Sequence, residues 1–309
     1  MKQHFFPVVI ILASLSILTA QEKADSRKWY QDPRMMNIGP LEENPTIFQI
    51  PVSHIDYAHS NVSTMVYNIT NGTAIVSPNF RVHPSTHTQS ETPIVTHPSN
   101  KNIMYGSANA GNFSPLFLSE GVYVTTDGGT SWFGSDTTNA VPINDHVGDP
   151  APSIDLNGRF YMSYLGLSDG LYVSNSIDYG NTWANATKII TGSQDKNHTF
   201  TINNPSSPYN GRTFVIWSRF TASFPPIAVS YTTNSGTTWS TSADINVSAA
   251  NHYAQGCNGA VAPNGDIYVC WQNPLSISPN IGDFVGFAKS TDGGVTWTYK
   301  DSIYDCNGI

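Results

Sequence analysis

Three carboxylates stand at similar places in this chain: Glu91, Asp149 and Asp195 each lie just ahead of a short strand-like run. Lys196 follows Asp195 directly, and Gln255 precedes a fourth such run. Carboxylates brought together repel one another, which raises a pKa or invites a cation, and either outcome can serve acid/base chemistry. The plainer alternative is that each caps its own strand start, because Asp149-Pro150 and Asp195-Lys196 are ordinary turn dipeptides. Which holds depends on the elements that carry them.

Those elements are announced by an eight-residue pattern, Ser/Thr-x-Asp/Asn-x-Gly-x-Ser/Thr-Trp. It occurs as TTDGGTSW (Thr125 to Trp132), SIDYGNTW (Ser176 to Trp183), TTNSGTTW (Thr232 to Trp239) and STDGGVTW (Ser290 to Trp297). The tryptophans are 51, 56 and 58 residues apart, a period that marks an array of similar supersecondary units. Within each copy the Ser/Thr and Asp/Asn oxygens are placed to accept from backbone N–H groups. The glycine supplies a φ > 0 position, and the tryptophan packs after the turn.

Each turn belongs to a longer unit. In the second, Ala151 to Leu156, Arg159 to Leu165 and Leu171 to Ser176 read as strands, with Asn157-Gly158 as a tight turn between the first two. The same order recurs around Asn210-Gly211 and Asn264-Gly265, and no segment has sustained helical periodicity. Four-stranded antiparallel units in series predict an all-β propeller with four visible blades. Asp305-Cys306-Asn307-Gly308-Ile309 resembles the Gly256-Cys257-Asn258-Gly259-Ala260 that opens the fourth unit. This predicts a fifth blade that breaks off, the alternative being a closed four-bladed ring. Residues 85–309 are assigned to the propeller and residues 21–84 to a lead-in with a candidate closing strand.

This order sorts residues by face. Arg159 and Arg212 follow inner Asn-Gly turns and belong to the box face, as solvated turn residues. The opposite face receives Glu91, Asp149, Asp195, Lys196, Arg219, Gln255 and Gln272, with the three carboxylates converging on the axis. His83 and His87 are four apart, but Pro84 and the extended context favour a surface loop over a metal site. Neither a metal motif nor a cofactor motif is expected.

Composition narrows the setting. Lys2, the apolar Phe5 to Leu18 and the small Ala20 form a secretory signal peptide over residues 1–20, and no later stretch is apolar enough to span a bilayer. The product is expected to be secreted or at the cell surface. A net charge of −8 argues against nucleic acid as a partner. Three cysteines, Cys257, Cys270 and Cys306, are too few for a disulfide scaffold, and buried thiols are expected at Cys257 and Cys306.

The four copies resemble the Asp-box (bacterial neuraminidase) repeats of the sialidase superfamily, over roughly Ser90 to Ile309. The resemblance implies a propeller whose site lies on the axis opposite the boxes. There, three arginines bind the substrate carboxylate, a Tyr paired with a Glu is the nucleophile, and an Asp is the acid/base. Phe80-Arg81-Val82-His83-Pro84 is similar to the Phe-Arg-Ile-Pro motif of that family, one residue longer, which implies Arg81 as a carboxylate-binding arginine. Arg219 is the other arginine on the right face, and one of Glu91, Asp149 or Asp195 becomes the acid/base. Lys196, Gln255 and Gln272 join the substrate-binding set. The implied function is an exported sialidase-like propeller acting on or recognising extracellular glycans or glycoproteins, as an exo-α-sialidase-type hydrolase. The rival reading is a non-catalytic carbohydrate- or protein-binding propeller, and the sequence leaves the choice open.

Overall fold

The computed structural model describes residues 65–69, 72–76, 82–85, 87–113, 116–138, 146–166 and 170–306. The signal peptide, Arg81 and residues 307–309 lie outside them. A hairpin comes first, β1 (Met65–Ile69) with β2 (Gly72–Val76), a two-stranded sheet of its own. Four antiparallel sheets follow. The first holds β3 (Thr88–Ser90), β4 (Ile94–Thr96), β5 (Met104–Phe113), β6 (Leu116–Thr125) and β7 (Phe133–Ser135). β3 and β4 both pair with β5, as two halves of one interrupted strand. The second holds β8 (His146–Ile154), β9 (Phe160–Gly166), β10 (Leu171–Ser176) and β11 (Thr187–Ile190). The third holds β12 (Gln194–Thr201), β13 (Thr213–Arg219), β14 (Ile227–Thr232) and β15 (Ala243–Asp244). The fourth holds β16 (Gln255–Val261), β17 (Ile267–Pro274), β18 (Gly282–Ser290) and β19 (Thr298–Asp305). The all-β blades of the sequence reading are present, and no helix occurs among the described residues. β19 runs to Asp305, and the Cys306 N–H donates to Asp283 O at 2.7 Å. Three of the five residues that suggested a fifth repeat lie outside the described set.

The core lies between the sheets. Phe160, Met162 and Tyr164 of β9 pack towards Tyr105 and Val124 of the first sheet, with Tyr105 and Phe160 stacked at 4.7 Å. Leu171 and Val173 meet Val215 and Trp217 of the third sheet. Phe214 and Ile216 meet Val269 and Trp271 of the fourth. The two middle blades therefore bury both faces, and β9 and β13 read as continuous apolar runs. β17 alternates instead, with Val269 and Trp271 buried and Cys270 and Gln272 exposed. A seam of hydroxyls joins the inner strands of the second and third sheets. Ser163 bonds Thr199 at 2.6 Å, Ser153 bonds Thr201 at 3.1 Å, and Thr201 bonds Thr213 at 2.9 Å.

The four boxes are turns of one design. The hydroxyl oxygens of Thr125, Ser176, Thr232 and Ser290 accept from the N–H of Gly129, Gly180, Gly236 and Gly294 at 2.9–3.0 Å. Each hydroxyl donates to the box Asp or Asn two residues on, at 2.8–3.0 Å. That side chain accepts from the backbone N–H four residues further, at 2.8–2.9 Å. The φ values of these glycines, 80–91°, explain the residue type, since a Cβ is strained there. Arg212 departs from its expected role as a solvated turn residue. It lies against Tyr209 and Tyr231 at 4.9 and 4.5 Å and donates to Gly293 O in the fourth box, so it ties two blades together. Arg159 is also engaged, within its own blade, donating to Asn175 Oδ1 at 2.6 Å.

Candidate functional site

The innermost strand of every blade is broken by a bulge near the end opposite its box. Pairing shifts between Gly148 and Ala151, between Asp195 and His198, and between Gln255 and Asn258. In the first sheet the same break separates β3 from β4. At each bulge one residue is left-handed: Glu91 (φ 51°), Asp149 (57°), Lys196 (48°) and Gly256 (66°). A non-glycine residue held in this region costs about 1–3 kcal/mol. Three such residues at matched positions mark a conformation imposed by the fold. The structure also refines the register expected from sequence, because Lys196, and not Asp195, is the counterpart of Glu91 and Asp149. Alternation patterns carry no signal for a bulge, which is why the strands begin several residues earlier than their apolar runs suggest.

The bulges turn side chains of three blades onto one spot. Lys196 Nζ donates to Glu91 Oε1 at 2.7 Å and to Asp149 Oδ1 at 3.1 Å. The Lys196 backbone N–H is shared between Asp149 Oδ2 at 2.9 Å and Asp195 Oδ1 at 3.0 Å. Gln255 Nε2 reaches Asp195 Oδ2 at 2.7 Å. Asn109 Oδ1 accepts from Asp149 N–H, and Asn197 Nδ2 donates to Asp149 O and to Ser163 Oγ, so Asp149 is held from two blades.

The environment pushes the carboxyls apart. Glu91 is raised above the usual carboxylate range, chiefly by its hydrogen bond with Asp149 and then by burial, against the pull of Lys196. Asp195 is raised by burial and by Asp149, with Gln255 and Lys196 opposing. Burial alone would raise Asp149, but the Glu91 hydrogen bond and the Lys196 ammonium outweigh it and hold it low. Asp149, held low, therefore faces a Glu91 carboxyl that is raised and the ammonium of Lys196. Lys196 is itself raised: burial would lower it, and both carboxylates overcome that. Nearby, burial brings His198 down to about 4 and drives the Cys257 thiol up, so the first is neutral and the second inert at neutral pH.

A cavity of about 190 Å³ opens beside this cluster, walled by Glu91, Asp149, Lys196, Asn197, Gly256 and Asn258 among others. Of the sequence-predicted site residues, Glu91, Asp149, Asp195, Lys196 and Gln255 come together here. Gln272 pairs in register with Gln255 but is exposed on β17 and is not part of the cavity wall. Arg219 turns to the outermost strand and pairs with Asp244 at 3.1 Å, away from this cluster. Arg81 lies outside the described residues. Sequence reasoning missed Asn197 and Gly256, and an Asn-rich, Gly-rich chain offers no pattern that would single them out.

His83 and His87 meet in a second cluster. Asp136 takes His87 Nδ1 at 2.9 Å, Tyr123 OH at 2.9 Å, Gln89 Nε2 at 3.0 Å and Ser85 Oγ, with His83 Nε2 at 3.8 Å. This fastens His83, Ser85, His87 and Gln89 onto the first blade. No group of three or more metal-type ligands occurs among the described residues.

No family model and no curated protein matches the chain. Solved structures do. An α-L-arabinanase of Penicillium chrysogenum, complexed with arabinobiose, is 13% identical with a TM-score of 0.54 over 72% of this chain and 68% of that one. The intramolecular trans-sialidase of Ruminococcus gnavus, complexed with oseltamivir carboxylate, is 12% identical with a TM-score of 0.51 over 70% and 71%. A Dyadobacter fermentans protein of unknown function is 14% identical with a TM-score of 0.51 over 71% and 70%. At such identities the likeness concerns architecture. The chain has the β-propeller fold that sialidases and arabinanases use, and its chemistry must be read from its own residues. Among the described residues no helix is long and apolar enough to cross a membrane.

Proposed function

We propose that this chain is an exported propeller that binds an extracellular glycan in the cavity at the inner-strand bulges, and that it recognises the glycan without cleaving it. Export rests on the signal-like segment over residues 1–20. The glycan rests on the fold, shared with a structure that holds arabinobiose, and on a cavity lined with carboxylates, amides and one ammonium. Binding in place of hydrolysis rests on one observation: Lys196 ties the three carboxyls together, Glu91 and Asp149 through Nζ, and Asp149 and Asp195 through its backbone N–H. Glycosidic cleavage places the scissile bond between two carboxyls about 5–9.5 Å apart, leaving room for the sugar or an attacking water. Here the space between Glu91 and Asp149 is taken by the Lys196 ammonium, where a sugar or an attacking water would have to sit. A sialidase reading would also need arginines at the cavity, and Arg219 is engaged with Asp244.

The test is to incubate the full-length chain with labelled extracellular oligosaccharides and to follow both retention and release. Retention without release, lost in Asp149→Ala, is the expected result. Sugar released by the wild type and not by Glu91→Gln would overturn the binding reading in favour of a hydrolase.

A further inference from the structure

We infer that the cavity is a subsite for one uncharged, hydroxyl-rich sugar ring seated over Gly256, with its hydroxyls donating to the amide oxygens of Asn197 and Gln255. This inference rests on the glycan-binding reading and names the class of glycan.

Two buried acceptors stand without partners at these bulges, Asn197 on the cavity wall and Gln255 behind it, next to Gly256 in the chain. Asn197 is only 9% exposed, and both of its amide hydrogens are committed, to Asp149 O and Ser163 Oγ, yet its Oδ1 has no partner. Gln255 donates to Asp195, while its own Oε1 is buried and unpartnered. A buried acceptor without a donor is costly, so each amide is poised for a hydroxyl or amine brought from outside. The carboxyls of Asp149, Asp195 and Glu91 at this spot are acceptors as well, and Asn258 on the wall adds an amide of either kind. The one ammonium, on Lys196, already serves Glu91 and Asp149. A ligand suited to these groups donates hydrogen bonds. A ligand that presents a carboxylate meets oxygens and like charge.

Gly256 supplies the space. It is the fourth left-handed bulge position, where the other three blades carry Glu91, Asp149 and Lys196. A Cβ built on it meets nothing within 4 Å, and the residue lines the cavity. Three blades therefore fill the ring of bulges with charged side chains, and the fourth leaves it open beside the two unpartnered amides. An apolar wall comes from Pro150.

The experiment is calorimetric titration of the full chain with neutral arabino-, xylo- and galacto-oligosaccharides and with 3′-sialyllactose. Two variants are included. Gly256→Asn fills the opening with a residue that tolerates φ > 0, and Gln255→Met removes one acceptor at similar volume. Expected are binding of at least one neutral series, binding of sialyllactose weaker by about tenfold or more, and about tenfold or greater weakening of the neutral ligand in each variant. Sialyllactose binding as tightly as the neutral sugars overturns this inference and leaves the glycan reading standing. So does unchanged affinity in a folded Gly256→Asn. If none of the sugars binds the wild type, the glycan reading itself is overturned, and this inference with it.

Discussion

At one end of each blade the box turn holds its Asp or Asn side chain by bonds that stay within the turn. At the other end the side chains at three of the four inner-strand bulges are held by bonds that cross to another blade. Asp127 is drawn down to about 2, chiefly by the Ser131 hydroxyl. Asp292 reaches about 2 although burial opposes it, because Thr296 and Ser290 donate to it. Each box is complete in itself, and the same bonds recur four times. The bulges repeat only their backbone. On four matched left-handed positions stand Glu91, Asp149, Lys196 and Gly256, whose carboxyls are split, one raised and one lowered, by their mutual contact. Where both backbone and side chain repeat, the role is scaffolding. Where the backbone repeats and the side chains diverge, the scaffold is presenting chemistry.

The strongest way to break this contrast is Asp149→Ala. It takes one of two acceptors from both the Lys196 ammonium and the Lys196 backbone N–H, and removes the charge that answers the ammonium in a half-buried place. We expect a loss of about 2–3 kcal/mol in urea unfolding at neutral pH, together with loss of glycan retention. A variant as stable as wild type would show that the cluster is solvated and that its contacts do not hold the blades.

Lys196→Met should have a smaller effect, about 1 kcal/mol at pH 7, because Lys196 Nζ is partly exposed to solvent. Its signature is in the pH dependence. Glu91 and Asp195, raised in the folded state, stabilise below their unfolded pKa values and lose that contribution as pH rises through the folded ones. Asp149, lowered, stabilises above its unfolded pKa and loses that contribution as pH falls through the folded one. Without the ammonium all three bind protons more tightly than they do in the wild type, so acidification from neutrality favours the variant relative to the wild type. The deficit against wild type should shrink towards about pH 4, near the ordinary carboxylate range, in a series of thermal melts. A deficit that stays constant with pH would mean that Lys196 acts by packing alone.

On the box side, Ser176→Ala removes an acceptor for the N–H of Gly180 and Asp178 and a donor to Asp178, at a residue 2% exposed. A loss of about 0.5–1 kcal/mol is expected, with glycan affinity unchanged. An altered affinity would join the two ends of the blade, against the separation argued above.

The unequal legibility of the two regions has a physical cause. A box encodes its bonds within eight residues, so hydroxyl, carboxylate, glycine and tryptophan are read at fixed offsets, and the strands follow from the spacing. The meeting of Glu91 with Lys196 spans 105 residues. It was anticipated only as convergence towards an axis, from blade order. That Lys196 holds the bulge position in place of Asp195 depends on a left-handed residue, and neither Glu nor Lys advertises one. Arg219 looked available because strand order gives its face; its ion pair with Asp244 depends on a two-residue outer strand, too short to read. Arg212 looked solvated because it follows a turn, whereas its partner Gly293 belongs to the next blade.

The smallest expected effect comes from a substitution that the chain has already made once. In the third box Asn234 stands where the others have aspartate. It accepts from Thr238 N–H at 2.9 Å and from the Thr232 hydroxyl at 3.0 Å, as the aspartates do. Its amide also donates to the Thr238 hydroxyl, reversing a bond that Thr182 donates to Asp178 in the second box. The turn therefore needs an acceptor oxygen at this position and not a charge. Asp178→Asn should shift stability by no more than about 0.5 kcal/mol, even though Asp178 is held low by the Thr182 hydroxyl and N–H. The same isosteric change at Asp149 removes the charge that answers Lys196 and should cost more than twice as much, read from paired denaturation curves. Equal losses would mean that the two ends of the blade use their carboxylates alike.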